Sequence, residues 1–256
     1  MYTHPRPIPA SPKIWRLASN HTLCYIACMS ANAGSTPGSP IVVNESDDWQ
    51  NNYRDPQLVG RRIRTHRKKM ERLGVFTWPR NTKILDLCCG SGEALRIMRE
   101  AGFTNLHGAD VTIDEQIKRE PWVKLSVCDG RSLPYPDNEF EAILCMHSLH
   151  HLGGVDGIRR TLTEAKRVVK PGGTLSLVDH YNAWQVWLAF WGVRQSWLTW
   201  PTSGLRSFHK QHIEEWPYLS EYIRTFPQTR KVIEELGFTP VVDTKGAFFF
   251  YWTGRK

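Results

Sequence analysis

The 256-residue chain is 41% hydrophobic and 23% charged, ordinary globular usage that excludes wholesale disorder and fibrous architectures and supplies enough apolar material for a full core. A formal charge of +8 suits nucleic acid or an anionic membrane surface as partner, but basic enzymes that bind neither carry similar charge. Six cysteines at 24, 28, 88, 89, 128 and 145 lack the spacing of a disulfide framework, which points to a reducing compartment and a cytoplasmic location.

Residues 1–44 hold no Asp or Glu and only three Lys or Arg, and end in a run of small residues from Ser30 to Pro40, so they read as a flexible leader. An acid-free, Ser-containing start also matches an organelle transit peptide over residues 1–40, and Met29 is an alternative start. Residues 45–81 read as an N-terminal helical cap. Within it, 57–73 predicts a helix with Val59, Ile63, Met70 and Leu73 on one stripe. Arg61, Arg62, Arg64, Arg67, Lys68, Lys69 and Arg72 fall on its other faces, as a solvated surface or a contact for phosphate or lipid headgroups. The longest apolar stretch, near 183–193, is shorter than the roughly 20 residues a bilayer span needs.

From residue 82 to the end, short β runs alternate with amphipathic helices, the pattern of parallel strands joined by crossovers. Strands are expected near 83–87, 105–109, 123–127, 141–145 and 174–179. A helix over 157–169 would be capped by Asp156 and ended by Lys170-Pro171-Gly172-Gly173. Phe238–Asp243 and Ala247–Trp252 predict an antiparallel hairpin at the sheet edge.

The segment Ile84-Leu85-Asp86-Leu87-Cys88-Cys89-Gly90-Ser91-Gly92 carries a strand through a glycine turn into a helix, where backbone N–H groups can approach a ligand. The third glycine of a dinucleotide fingerprint is replaced by Leu95, which favours a smaller nucleoside-containing ligand over a pyrophosphate. Asp110, at the tip of the second strand, is placed to accept ribose hydroxyl protons. Asp129 follows the third strand, where its carboxylate or neighbouring backbone reaches an adenine amino group; each acid alone also suits a turn or helix cap.

Taken with LHGAD, SVCDGRSLPYPDNEFEAILCMHSLHHL and EAKRVVKPGGTLSLVD, residues 82–180 resemble class I S-adenosylmethionine-dependent methyltransferases of the Methyltransf_11 type, over about 40% of the chain. The LDLCCGSG and LPYPDNEFEAI wording is similar to the ubiquinone and menaquinone C-methyltransferases. The resemblance implies a Rossmann-like, seven-stranded, mostly parallel sheet with S-adenosylmethionine across its carboxyl rim. It assigns Gly90 and Gly92 to the methionine portion, Asp86 to that portion's amino group, Asp110 to the ribose, Asp129 to the adenine, and Met146 with His147 to the inner wall.

A sulfonium is already an activated methyl donor, so a methyltransferase needs mainly alignment and water exclusion, with an imidazole available if the acceptor must lose a proton. His147 after the fourth strand and His180 after the fifth are the catalytic candidates, whereas His150 and His151 suit packing at a helix start. Residues 181–226 read as a helical lid insertion holding six of the eleven tryptophans. Tyr181, Trp184, Trp187 and Trp191 are its candidate substrate contacts, the three tryptophans facing one way on a helix. Such a lid suits a hydrophobic acceptor or a membrane interface.

No Asn/Asp-Pro-Pro-aromatic step follows the fourth strand, which reads Cys145-Met146-His147-Ser148, no Pro-Cys nucleophile is present, and no compact metal-ligand cluster is apparent. The expected function is methyl transfer to carbon or oxygen of a small, largely apolar, quinone-like, aromatic or natural-product acceptor. The alternatives are N-methylation of a small amine, and a non-catalytic S-adenosylmethionine-binding protein that binds nucleic acid or another macromolecule.

Overall fold

The computed structural model describes residues 56–193 and 203–256; the leader, Trp197 and Trp200 lie outside the described residues. Seven strands form one sheet in the order β3-β2-β1-β4-β5-β7-β6. They span β1 Lys83–Leu87, β2 Asn105–Asp110, β3 Val123–Val127, β4 Phe140–Met146, β5 Val169–His180, β6 Thr239–Lys245 and β7 Phe249–Arg255. The first five are parallel, and β7 runs antiparallel to both β5 and β6. The expected hairpin is therefore present, with its second strand inserted next to β5 and its first strand outermost.

The helices are α1 Pro56–Arg72, α2 Glu93–Glu100, α3 Glu115–Lys118, α4 Gly154–Val168, α5 Trp184–Val193 and α6 Ser203–Glu235. Single 3-10 turns occupy Val75–Thr77 and Leu149–His151. Two apolar layers sandwich the sheet. Met70 of α1 and Leu73 just after it join Leu95, Ile97 and Met98 of α2 on one face. Ile158, Leu162 and Ala165 of α4 join Leu219, Ile223 and Ile233 of α6 on the other. With both faces covered, β1 and β4 read as nearly continuous buried runs, as central parallel strands must.

Two boundaries differ from expectation. Gly153, in a left-handed conformation, precedes the first residue of α4, so Asp156 falls inside the first turn, where its charge still favours the helix dipole. The backbone is already extended at Val169, so Lys170-Pro171-Gly172-Gly173 forms the start of β5, where Gly172 and Gly173 exchange hydrogen bonds with Lys256. The lid helix α6 also runs past 226, to Glu235. Among the described residues no helix is long and apolar enough to cross a membrane.

Candidate active site

The strand order reverses between β1 and β4, and in open parallel sheets ligands bind at such a switch point beyond the strand carboxyl ends. The loop after β1, Asp110 ending β2, Asp129 just past β3, Met146 and His147 at the end of β4 and His180 ending β5 all stand on this rim. The parallel register places them there: Asp86 pairs with Gly108 and Leu144, and Met146 pairs with Val178.

Cys88 and Cys89 both donate their N–H groups to the Ala109 carbonyl, which bends the chain off β1 toward β2. The Gly90 N–H then donates to Asp110 Oδ2 at 2.8 Å, and Thr112 N–H donates to Oδ1 at 3.0 Å. Gly90 and Gly92 have φ of 45° and 71°, where L side chains are strained. A Cβ on Gly92 would meet Ile117 at 2.6 Å, whereas one on Gly90 would make ordinary contact with Asp110 Oδ2 at 3.8 Å. Gly92 is needed for packing against α3. Gly90 keeps clear the cradle above the Asp110 carboxylate.

Asp86 is 3% exposed, and no hydrogen bond reaches its carboxylate from a described residue. Burial, and secondarily the Asp110 charge, push it up to about 8, while burial raises Asp110 to about 6 against the backbone N–H groups that hold it down. Two recessed carboxylates short of positive charge call for a cationic ligand with hydroxyl or ammonium donors. S-adenosylmethionine, with its sulfonium, ammonium and ribose hydroxyls, fits these requirements. Asp129 is arranged differently: both its oxygens accept from the Arg131 guanidinium at 2.9 to 3.2 Å, and Oδ1 also accepts from Arg131 N–H. Its carboxylate is already paired, which leaves the surrounding backbone as the better contact for an adenine edge.

A family model described as a methyltransferase domain matches residues 85–177. The 2-phytyl-1,4-naphtoquinone methyltransferase of Nostoc punctiforme is 31% identical over 162 residues, 59% of this chain and 67% of that relative. The chain belongs to the S-adenosylmethionine-dependent methyltransferase family. The demethylmenaquinone methyltransferase of Corynebacterium urealyticum is 29% identical over 155 residues, 60% of this chain and 65% of that one, and the match to a second phytyl-naphtoquinone methyltransferase, from Trichormus variabilis, spans 46% of its length. Among solved structures, a Burkholderia thailandensis 1,6-didemethyltoxoflavin-N1-methyltransferase aligns over 96% of this chain and 94% of its own with a TM-score of 0.51, at 16% identity, a likeness of fold.

On the same rim, the ends of β4 and β5 carry a cluster of imidazoles. His147, at a φ of 55°, lies 5.6 Å from the His66 ring of α1, 5.0 Å from Phe249 and 6.0 Å from His180. Burial, with the Lys69 charge beside it, lowers His147 well below the ordinary histidine value. Burial also lowers His180, against the pull of Asp179. His180 Nδ1 is buried without a hydrogen-bond partner, 3.5 Å from Asp179 Oδ1, and its ring meets Phe249 at 4.5 Å and Phe190 at 5.8 Å. Both candidate bases are thus neutral imidazoles in an aromatic setting.

Three features escaped the sequence. Asp179, fully buried, accepts from Leu149 N–H, His180 N–H and His150 Nδ1, tying the 3-10 turn to the end of β5. Burial would raise this carboxyl, but the His150 charge and hydrogen bonds from His150 and His180 outweigh it and hold it well below the usual range, and His150 is raised in turn. Lys69, expected on a polar face, is 7% exposed; its Nζ lies 2.6 Å from His147 Nε2 and 3.7 Å from the Phe249 ring centroid. Finally, ligand atoms of His147, Asp179 and His180 lie within 4.8 Å of one another, which corrects the reading that no compact His/Asp group exists. A hint of the α1 contribution was available, because His66 fills the gap between Ile63 and Met70 in the inward stripe.

The lid tryptophans do not share a direction. Trp184 and Trp191 are 69% and 61% exposed, whereas Trp187 turns inward onto Trp216 at 5.4 Å. Spacings of three and four put Trp187 about 60° from Trp184 and about 40° from Trp191 around the helix, enough to move it to the buried side with Val186 and Phe190. Tyr181 packs on Phe226 and donates its hydroxyl to the Gly246 carbonyl, anchoring the hairpin turn rather than presenting a free hydroxyl.

Proposed function

We propose that the protein transfers the methyl group of S-adenosylmethionine to a ring carbon or oxygen of a small, largely apolar, quinone-like acceptor in its hydroxylated form. The observation that carries this reading is the pair of neutral imidazoles, His147 and His180, set among Phe249 and Phe190 beside the cofactor rim. A flat apolar ring stacks in such surroundings, and an unprotonated imidazole offers a free lone pair to a hydroxyl proton. The quinone substrates in the relatives' names support the same class.

The cofactor, when bound, supplies an activated methyl on a positive sulfur. Gly90, Asp86 and Asp110 hold it at the switch point, Phe249 and Phe190 exclude water and orient the acceptor, and His180 receives its proton. His147 Nε2 is already engaged by Lys69, so His180 is the better base and His147 the better positioning group. Four of the seven basic side chains of α1, Arg62, Arg67, Lys69 and Arg72, pair with Glu93, Glu100, His147 and Tyr251, which removes support from a nucleic-acid role for that helix. Contact with a membrane surface, which would deliver a lipid-soluble acceptor, draws support from the exposed Trp184, Leu188 and Trp191 on a helix with no charged residue.

The test is incubation of purified protein with isotopically labelled S-adenosylmethionine and a panel of naphthohydroquinones, simple phenols and small amines, followed by NMR of the labelled product. Label on carbon or oxygen of the apolar hydroquinones is expected. Transfer only to amines, or to nothing in the panel, would refute the assignment.

A further inference from the structure

We propose that Lys69, carried on α1 outside the matched methyltransferase segment, supplies a fixed positive charge that holds the ionised oxygen of the acceptor during methyl transfer. The proposal rests on the acceptor class argued above and assigns it a specific oxygen-binding group.

An ammonium has three N–H donors. At Lys69 one is directed to His147 Nε2 at 2.6 Å, and the positive group lies over the Phe249 face at 3.7 Å. No described residue's oxygen or nitrogen accepts from the other two N–H groups, although the residue is only 7% exposed. A buried donor without an acceptor is costly unless a ligand supplies one. The Phe249 ring is common to both groups: the Lys69 charge lies over it at 3.7 Å and the His180 centroid is 4.5 Å from it, so an acceptor oxygen bound between them would face both Nζ and the imidazole.

The alternative source of positive charge is a metal ion on His147, Asp179 and His180. Such an ion would have to displace Lys69 from His147 Nε2, and Asp179 already accepts from Leu149, His150 and His180 with its two oxygens. The donor set favours a built-in cation. Burial lowers Lys69 to about 7 while the Asp179 charge opposes the fall, and an anion beside the group favours its ammonium form. The titratable groups facing Lys69 are His66 on its own helix, His147 after β4, and Asp179 and His180 on β5.

In the proposed step the acceptor O–H bond breaks, its proton passes to His180, and the electron pair remains on oxygen against the Lys69 ammonium. That pair, on oxygen or delocalised to a ring carbon, forms the new bond to the methyl carbon as the sulfur–carbon pair departs with sulfur. For carbon methylation, loss of the ring C–H proton to solvent and return of the His180 proton to oxygen restore the hydroxyl.

The probe is 4-nitrophenol, whose phenolate is yellow, titrated with pH in the presence of wild-type protein saturated with S-adenosylhomocysteine. The wild type is expected to lower the apparent pKa of the bound phenol by about one to two units. Lys69→Met should abolish that shift while S-adenosylhomocysteine affinity, read by calorimetry, stays within about twofold, and Lys69→Arg should restore part of it. Wild-type protein that leaves the phenol at its solution pKa overturns the proposal, whatever the variants do, and so does a Lys69→Met protein that binds S-adenosylhomocysteine and retains the full shift. If the phenol shifts but no hydroquinone is methylated, the acceptor class fails and the role of Lys69 as an oxyanion holder stands.

Discussion

Cofactor binding should consume the unusual protonation of Asp86. In the ligand-free protein burial and Asp110 hold this carboxyl at about 8, with no described donor to offset them. A bound ammonium favours the ionised form, so binding releases a proton whenever the pH lies below that value. At pH 6, two units below, only about 1% of the carboxyl is ionised, and affinity should be about 100-fold weaker than on the plateau above pH 8, a coupling of about 2.7 kcal/mol at 1.36 kcal/mol per unit. At pH 7 the deficit is about tenfold. The same shift has a stability counterpart. Because the folded value lies above the unfolded one, near 4, the ligand-free fold loses stability as pH rises between the two, and ligand restores it. Calorimetry with S-adenosylhomocysteine in buffers of differing ionisation enthalpy reads the released proton directly, and Asp86→Asn separates it from titration of the ligand's own amine. Affinity that is flat from pH 6 to pH 8, or an Asp86→Asn protein with the wild-type proton release, would refute the assignment of Asp86 to the cofactor's ammonium.

Asp110→Ala should weaken cofactor binding by about 1 to 3 kcal/mol, the scale of a lost charged hydrogen bond, and unchanged calorimetric affinity would remove Asp110 from the site. Gly92→Ala should lower the melting temperature, since its Cβ would lie 2.6 Å from Ile117 at a φ of 71°; a melt matching wild type would show that α3 yields freely. Asp179→Asn should destabilise the fold by about 1 to 3 kcal/mol in urea unfolding, because it removes the buried carboxylate to which Leu149 N–H and His150 Nδ1 donate. In the wild type the Asp179 contribution is present above pH 4 and lost as pH falls through its depressed value, whereas the His150 contribution is lost as pH rises through its elevated one.

The cofactor half of the site was legible in the sequence because it is built from contiguous backbone. A strand, a glycine turn and an acid at each of the next two strand ends are local patterns, and parallel pairing brings them to one rim without further instruction. Strand positions followed for the same reason, with β1 and β3 matching the expected ranges, β2 extending by one residue and β4 by one at each end. The reading went astray in two places: a left-handed Gly153 starts the helix three residues before Asp156, and Lys170-Pro171-Gly172-Gly173 was drawn into β5 by pairing with Lys256.

The acceptor half was hidden because its decisive groups lie on separate elements and contradict local rules. A lysine beside a hydrophobic stripe normally extends to water, and nothing within 57–73 says that this one meets an imidazole 78 positions away. The contact follows from two anchors. Glu93, at the start of α2, pairs with Arg62 at 2.9 Å and His66 at 3.1 Å, which fixes the rotation of α1. Met70 and Leu73 bury its final turn against the sheet layer. With rotation and depth both set, Lys69 has no path to solvent. Its charge is carried inward to the rim where the parallel strands end, and there it meets His147 Nε2 and the Phe249 ring instead of bulk water.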